Sequence, residues 1–420
     1  MIRWYLSRQT VRLRHKVILG RSPFIMFRTT LICLAVLCPS IVMGQKKEVS
    51  QARTYIKSKK NLDKAEQLMT GLLNDSANLN NKRIYLVWLE AVKGQYDQAN
   101  ERFYLKQKQD TIAFFSLTKR MFTIAERLDS IDVLPDKKGR VNPEYRQKHA
   151  TMLNTYRPNL FNGGTYYIRK SAWKEAYSFM EAYMNCARQP LFENYNYAST
   201  DQRMSEAAYW TTYSGYMMHD AELTLRYHQQ ALLDTLHTDF TLQFVAEARL
   251  WQGDNQQYIA TLQKGFHKNP LFPYFFPRLM DAYTAAKRYE DALNLADSAL
   301  AVSDSSQLFL YAKSATLLRM QRWEESITYS KKIMQLNDSI PEPYYNAGTA
   351  YIEMAEKLDA RTQKSLFKDY YQKARTYIEY YRHLMPEEKK KWAPLLYRVY
   401  LNLNLGKQFD EIDRILQENR

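Results

Sequence analysis

Residues that could carry chemistry are scattered along this sequence and form no familiar catalytic pattern. His219, His228 and His237 lie nine residues apart, so on one helix neighbouring rings would project from opposite faces. A metal ion shared by side chains of one helix prefers ligands three or four residues apart, so this spacing does not suit a metal site. The carboxylates of Glu324 and Glu325 are adjacent in sequence and therefore point in different directions on a helix. The sequence has no glycine-rich phosphate loop, no HExxH and no GxSxG after a strand. We therefore expect a non-enzymatic protein with no catalytic residues, no cofactor and no metal.

The charge distribution argues against nucleic acid as a partner. The formal net charge is +16, but beyond the N-terminus the basic residues are dispersed, with "KQKQ" at 106–109 and "EEKKKW" at 387–392 the densest short runs. A nucleic-acid footprint is instead a patch of clustered Lys and Arg. We expect the dispersed charges to lie on solvated helix faces.

The first 44 residues resemble an export signal. They contain basic but no acidic residues, and they end in the apolar run "LICLAVLCPSIVMG", which is shorter than the ~20 residues of a membrane span. Translation from Met26 would leave a compact signal. Bacterial lipoproteins have a small residue before the cysteine that carries the lipid, but Cys38 here follows Leu37. Cleavage before Gln45 is therefore favoured over a lipid anchor. An uncleaved membrane anchor is the alternative. Localisation is thus predicted to be periplasmic or secreted, in a Gram-negative-type envelope, with no membrane span in the mature chain.

The rest of the chain shows the apolar spacing of amphipathic helices, and a recurring pattern divides them into pairs. With 273 taken as position 1, alanines or aromatic residues occupy positions 11, 17, 20, 24 and 27, and related residues return 34 residues earlier and later. Starts at 205, 239, 273, 307 and 341 keep this period, and 46, 80 and 157 begin further copies. The residues that define the pattern are Gly164, Tyr167, Trp173, Ala176, Ala246, Gly253, Pro270, Tyr283, Tyr289, Ala292, Trp323, Gly348, Tyr351, Ala374 and Pro386.

This pattern resembles the tetratricopeptide repeat (TPR) family, whose unit is a pair of antiparallel helices with small residues at positions 8 and 20. Small residues let two helices approach closely, while larger ones fill the gaps. The resemblance implies an all-α, right-handed superhelical solenoid of about eight repeats. We divide the chain into a signal peptide (1–44), an N-terminal repeat pair (45–113), an irregular helical insertion (114–156) with a loop at 132–143, and a repeat array (157–420) whose last helical pair (389–420) forms a cap.

The same resemblance implies a binding groove. In the family, positions 2, 5, 9, 12 and 13 of the first helix line the concave face, and many of these positions are aromatic here. The alternative for the tyrosines is packing between repeats. The implied groove residues are Tyr209, Tyr213, Tyr216, Phe240, Gln243, Glu247, Trp251, Tyr274, Asp281, Tyr311, Arg319, Tyr345 and Glu353.

An aromatic groove favours apolar or aromatic peptide segments, because Tyr and Trp offer large contact areas at a small entropy cost. The Lys, Arg and Asn clamp with which family members grip a terminal carboxylate is missing. We therefore expect an exported adaptor that binds another envelope protein or a peptide segment of it. The alternatives are a carbohydrate-binding component of an outer-surface glycan-uptake system and a purely structural, self-associating protein; the sequence leaves the oligomeric state undetermined.

Overall fold

The computed structural model describes residues 45–135 and 138–418, in which every regular element is helical. This confirms the all-α class, and the predicted signal peptide lies outside the described residues. The helices are α1 (45–58), α2 (Leu62–Leu72), α3 (Lys82–Tyr104), α4 (Thr111–Asp132), α5 (Arg146–Tyr156), α6 (Pro158–Arg169), α7 (Trp173–Asn185), α8 (Tyr197–Thr200), α9 (Met204–Met217), α10 (Ala221–Arg226), α11 (His228–Ala231), α12 (Thr238–Trp251), α13 (Asn255–Lys268), α14 (Phe275–Ala285), α15 (Tyr289–Val302), α16 (Gln307–Arg319), α17 (Trp323–Leu336), α18 (Glu342–Glu356), α19 (Lys364–Leu384), α20 (Lys389–Asn402) and α21 (Gly406–Glu418).

The described residues form two compact units. The N-terminal unit comprises residues 45–160 together with 188–194, and the C-terminal unit comprises 161–187 together with 195–418. Within the part of the chain that the structure describes, no helix is both long and apolar enough to cross a membrane.

Turns in the C-terminal unit recur with the period expected from the sequence. His219, Gly253, Lys287 and Gln321, each 34 residues from the next, have φ values of 56°, 73°, 56° and 60°. Each of these residues follows the first helix of a pair, and the chain reverses there into the second helix. Their positive φ values correspond to the left-handed conformation that is common at helix ends. Because the turns are so short, the two helices of each pair must be antiparallel.

Small residues sit where the paired helices touch. Ala176, Ala246, Ala292 and Ala374 are fully buried. A Cβ added to Gly348 would lie 2.4 Å from Ile378 Cδ1 of the paired helix, and the same addition at Gly164 would lie 2.7 Å from Met180 Cε. Larger side chains here would force the helices apart.

The larger pattern residues lie beside these contacts. Tyr167, Tyr283 and Tyr351 are buried, whereas the three aromatic residues that open the second helices are half-buried. Those three are Trp173, Tyr289 and Trp323. Of the two prolines, Pro270 is half-buried and Pro386 is exposed.

The N-terminal unit departs from the predicted register. The copy that starts at 80 is predicted to form a pair of helices, yet α3 runs unbroken from Lys82 to Tyr104. A Cβ on Gly94 would lie 3.0 Å from Leu62 Cδ1, so this glycine admits a side chain of α2 instead of making a turn. The predicted boundary at residue 113 falls inside α4.

The segment between α4 and α5 is fastened at both ends by charged groups. Asp132, which is buried, accepts a 2.9 Å hydrogen bond from the Tyr145 N–H and pairs with Lys82 Nζ at 2.9 Å. Arg146 donates two 2.8 Å hydrogen bonds to the carboxylate of Asp129. The predicted loop at 132–143 therefore begins at the last residue of a helix, and residues 136–137 lie outside the described residues.

Glu126 of α4 makes the stability of this unit depend on pH. Burial raises the pKa of its carboxyl from 4.5 to about 7. The folded chain therefore binds this proton more tightly than the unfolded chain, so the contribution of Glu126 to stability falls as pH rises from about 4.5 to about 7 and stays lower above that range. Glu126→Gln should raise the free energy of unfolding by about 1–2 kcal/mol at pH 8 and change it little at pH 4.

Urea denaturation at the two pH values measures this difference. Glu101→Gln, at an exposed position of α3, is the matched control and should show no such dependence. An equal effect of Glu126→Gln at both pH values would contradict the prediction.

Candidate functional site

A cavity of about 550 Å³ opens in the C-terminal unit against the first helices of two successive repeats and the start of α20. We call it the groove cavity. Its volume lies within the range of ligand pockets, about 300–1,000 Å³. The side chains that line it belong to Tyr311, Ala315, Leu318, Arg319, Gln321, Glu342, Tyr345, Asn346, Thr349, Glu353, Tyr381 and Lys391.

Helical periodicity explains why these side chains converge. Tyr311, Ala315 and Arg319 lie four residues apart on α16, so they form one row along its surface. Tyr345, Thr349 and Glu353 form the same row on α18, one repeat later. Two neighbouring helices thus present matching faces to the cavity.

A buried polar contact fixes the spacing between these rows. Asn346 of α18, 5% exposed, donates a 3.3 Å hydrogen bond to Ser314 Oγ of α16. Ser314 Oγ is in turn 2.7 Å from Ser330 Oγ of α17. Three helices are therefore joined by small polar side chains directly behind the cavity wall.

The cavity carries both signs of charge. Arg319 and Lys391 supply cations, and Glu342 and Glu353 supply carboxylates. Lys391 Nζ is 3.3 Å from Glu388 Oε2, and the hydrogen bond to Glu388 raises the pKa of the Lys391 amine, which keeps it protonated. Burial raises the pKa of the Tyr311 hydroxyl, and the nearby Glu342 carboxylate raises it further. At neutral pH that hydroxyl is thus a hydrogen-bond donor.

Four of the predicted groove residues line this cavity: Tyr311, Arg319, Tyr345 and Glu353. Tyr311 is 37% exposed, and Tyr345 is half-buried with its ring 5.3 Å from that of Tyr381. The structure thus brings together predicted residues from two repeats that are 34 positions apart.

The predicted tyrosines of α9 have a different environment. Tyr209 is 6% exposed and its ring stacks on His237 with 4.1 Å between centroids; burial raises the pKa of its hydroxyl to about 12. Tyr213 and Tyr216 pack against Phe244, at 5.4 and 4.6 Å. The Tyr209 ring therefore packs between repeats.

Glu247 and Tyr274 are also engaged with each other. The Tyr274 hydroxyl donates a 2.8 Å hydrogen bond to Glu247 Oε1, and Arg278 lies 3.8 Å above the Tyr274 ring. Tyr274 is 6% exposed, and burial together with this hydrogen bond raises the pKa of its hydroxyl. These side chains form a wall between repeats.

The remaining predicted positions do not join the cavity. Phe240 is 46% exposed, with its ring centroid 5.3 Å from that of Phe272 in an edge-to-face arrangement, and Asp281 is exposed. Gln243 and Trp251 are half-buried, and the Trp251 ring stacks on Tyr216 at 5.6 Å.

Side-chain size decides which part of the groove stays open. In the repeats from 205 and 239, Tyr213 and Phe244 at positions 9 and 6 fill the space between first helices. In the repeats from 307 and 341, the corresponding residues are Ala315 and Asn346. The shorter side chains leave the space that forms the cavity.

Sequence reasoning missed several residues of the cavity. Glu342 and Thr349 occupy positions 2 and 9 of the repeat from 341, so the register alone could have found them. Lys391 and Tyr381 come from the following helices after an insertion, and neither occupies one of the first-helix positions from which the groove was predicted. Within the described residues, no group of three or more His, Cys, Asp or Glu side chains is arranged to hold a metal ion.

Antiparallel helix pairs, a 34-residue period and small residues at their contacts define an all-α fold of the TPR type. The chain matches no family model and no curated protein. Solved structures that it resembles include the C-terminal part of a TPR repeat-containing protein from Cytophaga hutchinsonii, with 11% identity and a TM-score of 0.41 over 60% of this chain and 92% of that one. Yeast Tom70 has 10% identity and a TM-score of 0.34 over 90% and 91% of the two chains. Such likeness concerns the fold alone, and the site is assigned from this chain's own residues.

Proposed function

We propose that the protein is a non-enzymatic, exported adaptor that binds a peptide segment of another envelope protein in the groove cavity. The observation that supports this most directly is the convergence of Tyr311, Arg319, Tyr345 and Glu353 on one cavity. Aromatic rings give a bound segment apolar contact, and charges of both signs orient it.

The cavity favours a particular kind of segment. An apolar or aromatic side chain of the bound segment would contact Tyr311, Tyr345 and Tyr381. Acidic side chains that flank it would pair with Arg319 or Lys391, and basic ones with Glu342 or Glu353. Periplasmic or secreted localisation, supported by the basic and apolar N-terminal sequence, is part of the same proposal.

Selection from a displayed library of random peptides tests this function with the chain from Gln45 onward. We expect enrichment of peptides that combine an aromatic residue with charges. Ala315→Trp places a large ring in the cavity and should abolish that enrichment. Ala301→Trp, at an exposed position of α15, is the matched control and should behave like the unchanged protein.

Two outcomes would contradict the proposal. Equal enrichment on Ala315→Trp would move peptide binding away from the cavity. If no peptide is enriched while a soluble glycan binds with micromolar affinity and Ala315→Trp blocks it, the carbohydrate-binding alternative replaces the peptide adaptor. Light scattering of the same samples tests self-association, which a monomer at all concentrations would exclude.

A further inference from the structure

The turn between α3 and α4 exposes several large apolar side chains that are close in sequence. Tyr104 is 86% exposed, Leu105 54% and Ile112 52%. Phe103 is 38% exposed, and its ring lies 5.0 Å from that of Phe114, which ties the end of α3 to the start of α4. Adjacent exposed apolar residues that are rimmed by charge mark an interaction surface.

Cations are concentrated in and beside two turns at this end of the unit. The turn between α1 and α2 lies at the same end of the unit, because Gln98 Nε2 of α3 donates a 2.9 Å hydrogen bond to the Lys59 carbonyl. A cavity of about 360 Å³ is also lined by Asn61 from that turn and by Arg102 and Gln109. The exposed cations are Lys57, Lys59, Lys60, Arg102, Lys106 and Lys108.

Acidic groups at this end are fewer. Asp63 and Glu101 are exposed, while the Asp110 carboxylate accepts hydrogen bonds from the N–H groups of Ile112 and Ala113. Asp97, one turn further along α3, is paired with Lys93. The positive charges therefore dominate this end, which we call the basic-aromatic tip: residues 57–60 and 102–112.

The tip has a defined backbone. The Lys106 N–H donates to the Phe103 carbonyl at 3.0 Å, and the Gln107 N–H donates to the Arg102 carbonyl at 2.9 Å. Lys106 has a φ of 56°, a conformation that glycine adopts at lower cost. This closure of α3 holds Tyr104 and Leu105 outward at the end of the helix.

We propose that the basic-aromatic tip docks on the surface of an anionic lipid bilayer. Tyrosine is suited to the headgroup level of a membrane, and Leu105 and Ile112 can enter the boundary with the acyl chains. Lysines beside them attract anionic headgroups. The tip belongs to the N-terminal unit, so this inference is independent of the groove cavity.

Vesicle co-sedimentation with the chain from Gln45 onward tests the proposal. We expect binding to vesicles of equal parts phosphatidylcholine and phosphatidylglycerol, weakening as salt rises, and little binding to phosphatidylcholine alone. The double variant Tyr104→Ser, Leu105→Ser should lower the partition coefficient about tenfold or more. Leu308→Ser with Leu336→Ser, two exposed leucines of the C-terminal unit, is the matched control and should bind normally.

A second variant separates charge from folding. Lys106→Gly suits the local backbone, so combined with Lys108→Gln it should keep the helical circular dichroism of the unchanged protein and still lose binding to the mixed vesicles. Removing two exposed lysines of the C-terminal unit, with Lys331→Gln and Lys407→Gln, should leave binding unchanged.

Each contrary outcome would overturn the proposal. Equal binding of the tip variants and the unchanged protein would place lipid contact elsewhere, and no binding to mixed vesicles would exclude a lipid partner for the tip. Binding of the tip to polyglutamate but not to vesicles would assign it to an acidic polypeptide instead.

Discussion

Gly215→Leu is expected to destabilise the C-terminal unit by roughly 2 kcal/mol or more. A Cβ on Gly215 of α9 would lie 2.5 Å from the backbone nitrogen of Thr224 and 2.7 Å from the carbonyl carbon of Leu223, both in α10. Backbone atoms cannot rotate away as side chains do, so α9 and α10 would have to separate. Overpacking of this kind costs about 1–3 kcal/mol and sometimes more, against about 1 kcal/mol returned by the better helix propensity of leucine.

Urea denaturation followed by circular dichroism measures this change, with Gly71→Leu as the matched control. Gly71 lies in α2, and a Cβ there would have no neighbour within 4 Å. The control should be neutral or slightly more stable. A midpoint for Gly215→Leu equal to that of the unchanged protein would show that α9 and α10 are not in close contact.

The double variant Tyr311→Ala, Tyr345→Ala should bind a peptide selected on the groove cavity about thirtyfold more weakly, or weaker still. Both rings line the cavity, and a loss of about 1 kcal/mol of contact from each, about 2 kcal/mol in all, corresponds to about thirtyfold in affinity. Fluorescence anisotropy with the labelled peptide measures the affinity.

Tyr380→Ala provides the control for this pair. Tyr380 of α19 is 38% exposed, close to the 37% of Tyr311, and does not line the cavity. The Tyr380→Ala variant should bind the peptide with the affinity of the unchanged protein. The unchanged protein, the double variant and Tyr380→Ala should all have the same helical circular dichroism. Unchanged affinity of the double variant would mean that the peptide contacts another surface.

The sequence was sufficient to predict the helix pairs of the C-terminal unit. Small residues at repeated positions and larger ones beside them specify which helix faces meet, because only small side chains allow close approach. Ala292 and Ala374 are fully buried, as that pattern requires, and the turns at Lys287 and Gln321 are one period apart.

The copy that starts at 80 departs from the predicted pair of helices, because α3 continues through Gly94. Glycine serves equally to end a helix and to admit a neighbouring side chain, and only the position of Leu62 shows that α3 continues through it. Gly215 was overlooked for the same reason, since its contact is with the backbone of the next helix.

Which groove residues face open space was decided by the tertiary structure. Tyr209 and Tyr311 both stand at position 5 of their repeats, yet Tyr209 is buried and Tyr311 lines a cavity. A repeat position fixes the direction of a side chain from its own helix. Its exposure depends on the size of the residues that face it from the next repeat. The Phe244 ring lies beside Tyr209, whereas the corresponding residue beside Tyr311 is the shorter Asn346.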